Sequence, residues 1–528
     1  MSLAMAQSVA LVGLEATLVD IEVWLGGGLP RTVVVGLPDK ALNEARDRCR
    51  AAVAAIGLTW PSQAVTISLT PATLPKAGSH YDLGITAAVM AASHVVPRAR
   101  LRDAILLGEL GLDAQVRPVR GVLPALLAAQ RRGVKRAVVP AAQRAEAGLV
   151  EGIEVQGVAT LMDLIAYLNG RPVTLPPVTP ALAPEDAEPL DLADVIGLGE
   201  AKWALEVAAA GRHHLYFHGP PGVGKTLLAR RLPTILPDLT VVEALEVAAI
   251  QSLAGCAVDG LERRPPFSDP HHTASLAAMA GGGSRVARPG AVSLAHRGVL
   301  FLDEAPEFPT AILETLRTPL ESGEIVLGRS EAQVRYPARF QLVMAANPCP
   351  CGNAATPGAA CACSPLMIRR YAARLSGPIL DRVDLHQHIL PQRQSLLRAV
   401  RAEERSEAVL ARVLAARERQ AARLRDTPWR TNAEVSGAYL RAQLPAPEGA
   451  ELVDRAVRVG RLSARGVDKV VKVAWTLADL AGAARPTADH LRLALALRQG
   501  EDPSGAARSR RPEPQRSPHP TEGDRHAA

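Results

Sequence analysis

Apolar and polar positions along this chain fall into three regimes and a tail. Up to about Gly170 the pattern is mixed: Val33–Gly36 and Ala64–Leu69 read as short apolar strands, and Ala41–Ile56 as a helix with its charges on one face. Arg171–Glu188 is rich in proline, cannot hold a regular helix and reads as a linker. From about Leu190 to Gln392, short apolar runs alternate with helical segments, the pattern of a parallel sheet covered by helices. From Gln394 to about Gln499 the periodicity is helical nearly throughout, including the arginine-rich Val400–Arg425. Beyond Gly500 the composition is Pro, Ser, Arg and Glu with nothing to bury, and disorder is expected. The predicted division is 1–170, a linker at 171–189, a core at 190–392, a helical domain at 393–500 and a tail at 501–528.

Composition narrows the class. At 528 residues the chain is too long for one core. Hydrophobic residues make up 48% and aromatics only 3%, so the cores must be built from Ala, Val and Leu. Six cysteines in a chain of this size do not suggest a secreted disulfide scaffold. Without a basic leader or an apolar run of bilayer length, the expectation is a cytoplasmic protein with no membrane partner. The net charge is +7, and the tail from Glu501 carries five acidic and five basic side chains, so the excess lies on the folded part. A basic excess is compatible with a polyanionic partner, while scarce aromatics argue against a base-stacking platform.

Specific chemistry begins at His214–His218, a strand-like run that leads into Gly219-Pro220-Pro221-Gly222-Val223-Gly224-Lys225-Thr226 and then the helical Leu227–Leu232. This is a G-x-x-x-x-G-K-[ST] phosphate loop in its proper strand–helix setting. Glycines let backbone N–H groups close around phosphate oxygens, and the helix N-terminus adds its positive end. Lys225 is expected to reach the β- and γ-phosphates of ATP, and Thr226 to ligate Mg²⁺. Gly298–Leu302 is an apolar strand ending in Asp303 and Glu304: Asp303 for the Mg²⁺ shell, Glu304 as general base toward the attacking water. Phe340–Ala346 ends in Asn347, suited to orient that water. ATP hydrolysis is the reaction these residues predict.

Other groups carry more than one reading. Arg382, between acids after the Gly377-Pro378 break, is either a structural ion pair or an arginine finger acting on a neighbouring subunit's γ-phosphate. Arg465, at the start of a C-terminal helix, is placed to reach the same phosphates from a lid. Cys349-x-Cys351 and Cys361-x-Cys363 bracket a small loop and are either a structural Zn²⁺ site or reduced, redox-sensitive thiols. His271 and His272 are expected to point in different directions, as neighbours on regular backbone do, which favours a loop that reads substrate or couples subunits over a metal pair. Gly281-Gly282-Gly283 with Arg285 and Arg288, and the pair Arg329 and Arg335, are candidate basic loops for phosphate contacts, against the plainer reading of solvated arginines.

With these residues assembled, the chain resembles the magnesium-chelatase-like AAA+ proteins of bacteria, specifically the ComM/YifB family. The resemblance covers nearly the whole chain to Gly500. It rests on Gly36-Leu37-Pro38-Asp39, Gly219–Thr226, Pro270-His271-His272-Thr273-Ala274-Ser275, Leu302-Asp303-Glu304, Asn347-Pro348-Cys349-Pro350-Cys351-Gly352, Leu375–Asp384 and Ser463-Ala464-Arg465. It implies an α/β AAA+ P-loop core with a C-terminal helical lid, assembled as a homo-hexameric ring that moves on DNA. Members are understood as branch-migration helicases of natural transformation. Two departures stand out: Ser268-Asp269 replace the family's usual Arg-Ala pair before Pro270, and Trp203 and Trp475 stand where arginine is expected. They bear on DNA contacts and lid packing, not on hydrolysis.

The first block is similar to the Lon-type Ser-Lys protease fold, through Gly108-Glu109-Leu110, Val116–Ala129 and Lys76-Ala77-Gly78-Ser79. The position of Lon's catalytic lysine is taken by Leu123, and Ala125 is no base either, so Ser79 is an ordinary alcohol and the block a protease-dead α+β domain. Two other readings stay open: a chelatase motor inserting Mg²⁺ into a porphyrin, and a regulatory AAA+ remodeller indifferent to DNA.

Overall fold

The structure, a computed structural model, describes residues 2–36, 40–72, 74, 78–175, 189–283, 288–328, 333–355, 358, 360–390 and 403–501. The N-terminal part is built on a seven-stranded mixed sheet in the order Arg31–Val35, Ala64–Thr70, Glu15–Gly26, Ser2–Val12, Ala104–Leu106, Arg136–Pro140, Glu154–Val158. Its centre is a long antiparallel hairpin pairing Ser2 with Leu25 through to Val12 with Glu15, turned at Gly13 (φ +65°). The helix Asp82–Ala92, apolar but for Asp82 and Thr86, is buried along its whole length, and Asp82 is paired with Arg48 at 2.7 Å.

The second part is a five-stranded parallel sheet in the order Phe267–Ser268, Val299–Leu302, Gln341–Ala346, Leu215–His218, Leu385–His388. Val299–Leu302 and Gln341–Ala346 are buried at every position, which is why both read as apolar runs apart from Gln341, whose amide donates to Ala208 O and His213 O. The helix Gly199–Gly211 covers one flank, its Ala204, Leu205 and Ala208 packed in one cluster with Leu215, Phe217 and Val343 of the strands. In-register pairing of Leu302 with Met344 and of Ala346 with His218 brings three strand tips side by side. Ligand crevices of parallel sheets lie at these carboxyl ends.

The C-terminal part is helical: Ser406–Arg423, Gly437–Gln443, Ala450–Arg458, Ala464–Ala481 and Ala488–Gln499. It docks on Gly199–Gly211, where Arg412 meets Glu206 at 2.6 Å and Gln420 donates to Ala210 O at 3.0 Å. Trp475 is part of the buried lid core with Leu424, Val435 and Leu440, and Arg423 lies 4.4 Å over its ring.

The first two parts share a core. Ala248 and Ala249 of Val241–Ala254 pack in one cluster with Val9, Val122 and Leu126. Across this seam the buried Glu146 accepts hydrogen bonds from Leu123 N (3.0 Å), Gln143 (3.0 Å) and the Ser252 hydroxyl. Burial raises its carboxyl pKa and the three donors work against that rise. Linker residues 176–188, residues 391–402 and the tail from residue 502 lie outside the described residues. Among the described residues no helix is long and apolar enough to cross a membrane.

Candidate functional site

The strand Leu215–His218 ends at Gly219, where any Cβ would come within 2.3 Å of Ile389 O. The chain then turns through Gly222 (φ +77°) and Gly224 (φ +91°), a backbone region that costs other residues strain. Gly224 caps the helix Lys225–Arg231 without any side-chain hydrogen bond, leaving the first-turn N–H groups open to an anion. Lys225 is buried, and its Nζ donates to Gly219 O (2.6 Å), Pro220 O (2.7 Å) and Asn347 Oδ1 (2.9 Å). Burial lowers its pKa, while Asp303 and Glu304 pull it back up.

The neighbouring tips complete the group. Thr226 Oγ1 donates to Asp303 Oδ2 at 2.7 Å, and Asp303 Oδ1 accepts the Glu304 N–H at 2.9 Å. Glu304 sits at φ +50°, uncommon for a residue with a side chain, with its carboxylate half exposed. The strands therefore gather Lys225, Thr226, Asp303, Glu304 and Asn347 around the loop Gly219–Thr226. A hydroxyl and a carboxylate this close form a set of hard oxygen donors, which fits Mg²⁺.

The histidine pair differs from its expectation. The segment 269–271 has no regular structure, and the His271 and His272 rings lie side by side, their centroids 4.1 Å apart and their planes tilted by 33°. His272 Nδ1 is 3.7 Å from Glu304 Oε2, bringing this loop to the acid. Asp269, the departure from the family pattern, pairs at 2.9 Å with Arg230 on the helix that follows the loop.

Arg382 and Arg465 stand together elsewhere. Both donate to Glu321, Arg465 at 3.3 Å, and Arg382 also donates to Pro378 O at 2.8 Å. Beneath them Lys469 of the lid reaches Arg382 O and Asp384 Oδ1, each at 2.7 Å. Glu321 and Lys469 belong to no motif, and no sequence signal marks them. Around the basic loops, Gly281–Gly282 pairs with Arg288–Pro289, and Glu324–Gly328 pairs with Gln333–Pro337 as a hairpin carrying Arg335, exposed and 3.4 Å from Glu324. Arg285 and Arg329 lie outside the described residues, as does Lys76. Ser79 donates to Glu109, and Leu123 is fully buried hydrocarbon.

The sulfurs of Cys349, Cys351, Cys361 and Cys363 all lie within 4.8 Å of one another. Cys349–Cys351, Cys351–Cys361 and Cys349–Cys361 are separated by 3.4, 3.6 and 3.7 Å. Thiolates at the corners of a tetrahedron with Zn–S bonds of ~2.3 Å would be about 3.8 Å apart, so the group fits Zn²⁺.

Three family descriptions match the chain in succession: "Subunit ChlI of Mg-chelatase" over residues 21–143, "Magnesium chelatase, subunit ChlI" over 191–397, and "Magnesium chelatase, subunit ChlI C-terminal" over 403–498. An uncharacterized protein of Mycobacterium tuberculosis is 52% identical over 503 residues, covering 94% of this chain and 99% of the relative. The competence protein ComM of Haemophilus influenzae is 42% identical over 509 residues (94% and 98%). The uncharacterized protein YifB of Escherichia coli is 42% identical over 502 residues (94% and 97%).

Proposed function

The chain belongs to the magnesium-chelatase-like AAA+ ATPases of the ComM and YifB family, and from that membership we propose that it works as a homo-hexameric ring motor on DNA, a branch-migration helicase of the kind used in natural transformation and recombination. Hydrolysis at the loop Gly219–Thr226 is supported above all by one observation: Thr226 and Asp303 meet at 2.7 Å beside the buried Lys225. Lys225 exchanges its two loop carbonyls for phosphate oxygens and keeps Asn347 as its neighbour. Thr226 and Asp303 hold Mg²⁺, which supplies charge neutralisation on the phosphates. Glu304 takes a proton from the attacking water, and Asn347 orients that water. Arg465 approaches from the lid of the same subunit. Arg382 leaves Glu321 to complete the site of the neighbour, which makes the ring the working unit. Cys349, Cys351, Cys361 and Cys363 hold a structural Zn²⁺.

The DNA reading is supported by 42% identity, along almost the entire length, to a protein named for competence. The hairpins carrying Arg288 and Arg335 offer exposed cations for phosphates. The deciding measurement is the steady-state ATPase rate without DNA, with single-stranded DNA and with a four-way junction. Stimulation by DNA that falls steeply with salt is the expected result. A rate indifferent to every DNA would replace this reading with a protein- or porphyrin-directed remodeller.

A further inference from the structure

The segment from Asn347 to Gly352 touches the phosphate loop twice. At one end Asn347 Oδ1 accepts from Lys225 at 2.9 Å. At the other, Gly352 (φ +81°) lies so close to the loop that a Cβ there would come within 2.6 Å of Pro221 Cδ. Between these two contacts stand Cys349, buried, and Cys351. The other half of the cysteine group, Cys361 and Cys363, runs directly into the helix Pro365–Ala373, capped by Ser364. Tyr371 of that helix is buried. The four sulfurs thus tie the segment Asn347–Gly352, which presses on Pro221, to the start of the helix Pro365–Ala373.

We propose that metal occupancy of the four-cysteine group governs nucleotide affinity: Zn²⁺ held by these thiolates fixes Asn347 and Gly352 against the phosphate loop, and its loss releases both. The proposal rests on the nucleotide and zinc readings given above. The physical reason is connectivity. Pro348 and Pro350 flank Cys349 and carry no N–H, so this stretch has few backbone hydrogen bonds of its own to hold it once its sulfurs are untied. Residues 352–360 supply few other anchors among the described residues: a 3₁₀ turn at Asn353–Ala355 and the Gly352 N to Cys349 O hydrogen bond of 3.0 Å. Four Zn–thiolate bonds supply the free energy that local packing does not.

The test uses the full-length purified chain. Zinc per chain is measured by mass spectrometry, and affinity for a fluorescent ATP analogue with Mg²⁺ is measured before chelation, after chelation with a zinc-selective chelator, and after Zn²⁺ is restored. The expected result is one zinc per chain and a loss of affinity of about tenfold or more on chelation, recovered on restoration, with far-UV circular dichroism unchanged. A Cys361→Ser/Cys363→Ser chain should behave as the chelated protein. Because that variant can fail to fold, Gly352→Val provides a second arm: it should keep its zinc but lose affinity, since its side chain pushes into Pro221. The outcomes separate the readings. A chain without zinc overturns the metal site, and a zinc-loaded chain that binds no nucleotide overturns the nucleotide site. Zinc removal that leaves affinity within about twofold overturns the coupling alone.

Discussion

Replacing Lys469 by Met should loosen the lid from the ATPase core. Asp384 is almost wholly buried at that junction, with Oδ1 2.7 Å from Lys469 Nζ and Oδ2 2.7 Å from the His214 N–H. Burial by itself would raise its pKa, yet Lys469, His213 and His214 outweigh that effect and hold the carboxyl well below the usual range. At an effective dielectric of about 20, opposite charges 2.7 Å apart attract by about 6 kcal/mol before solvation is repaid. Deleting one partner leaves a buried charge uncompensated, for which about 3 kcal/mol is the expected cost. Native-state hydrogen exchange of the helix Ala464–Ala481 reads this directly: its slowest amides should lose protection by roughly 100-fold in Lys469→Met. In Lys469→Met/Asp384→Asn the buried charge is gone, and most of the protection should return. Protection unchanged within about twofold in the single variant, or a double variant as loose as the two singles added, would refute the reasoning.

Lys225→Ala should abolish ATP-analogue binding in a direct binding assay, whereas Glu304→Gln should bind ATP and hydrolyse it at least ~100-fold more slowly; hydrolysis at the parent rate removes Glu304 as general base. Arg382→Ala and Lys225→Ala chains, each inactive alone, should regain part of their ATPase rate when mixed and reassembled, since intact sites then form between unlike subunits. No recovery at any mixing ratio would place the action of Arg382 within its own subunit. Burial lowers His213 to about 3 and His214 to about 4. The unfolded chain binds those protons near pH ~6.5, so stability is complete above that value and falls as the pH drops toward ~4. Denaturant midpoints measured at pH ~7.5 and ~5 should show the fall, and equal midpoints would contradict it.

What could be read from the sequence is what the backbone carries in one piece. Strand, phosphate loop and helix around Gly219–Thr226 are contiguous, and so are the acid-tipped strand at Leu302-Asp303-Glu304 and the run to Asn347. Residues that meet only through folding left no trace: Glu321 gathers Arg382 and Arg465 from segments 61 and 144 residues away. The long hairpin Ser2–Val12 and Glu15–Gly26 was equally hidden. Its first strand turns Ala4, Ala6 and Ala10 inward, and alanine gives neither the bulk nor the β-branching that marks a buried strand. The histidine pair was misjudged because the rule for neighbouring side chains assumes regular backbone, and 269–271 has none.

The seam at Glu146 makes the covalent linker redundant. A chain cut anywhere in the proline-rich stretch should still travel as one particle, because Val122, Leu126, Ala248 and Ala249 keep the halves in one shared interior. The N-terminal sheet is then held to the helix Val241–Ala254 by shared packing, rather than trailing on a tether.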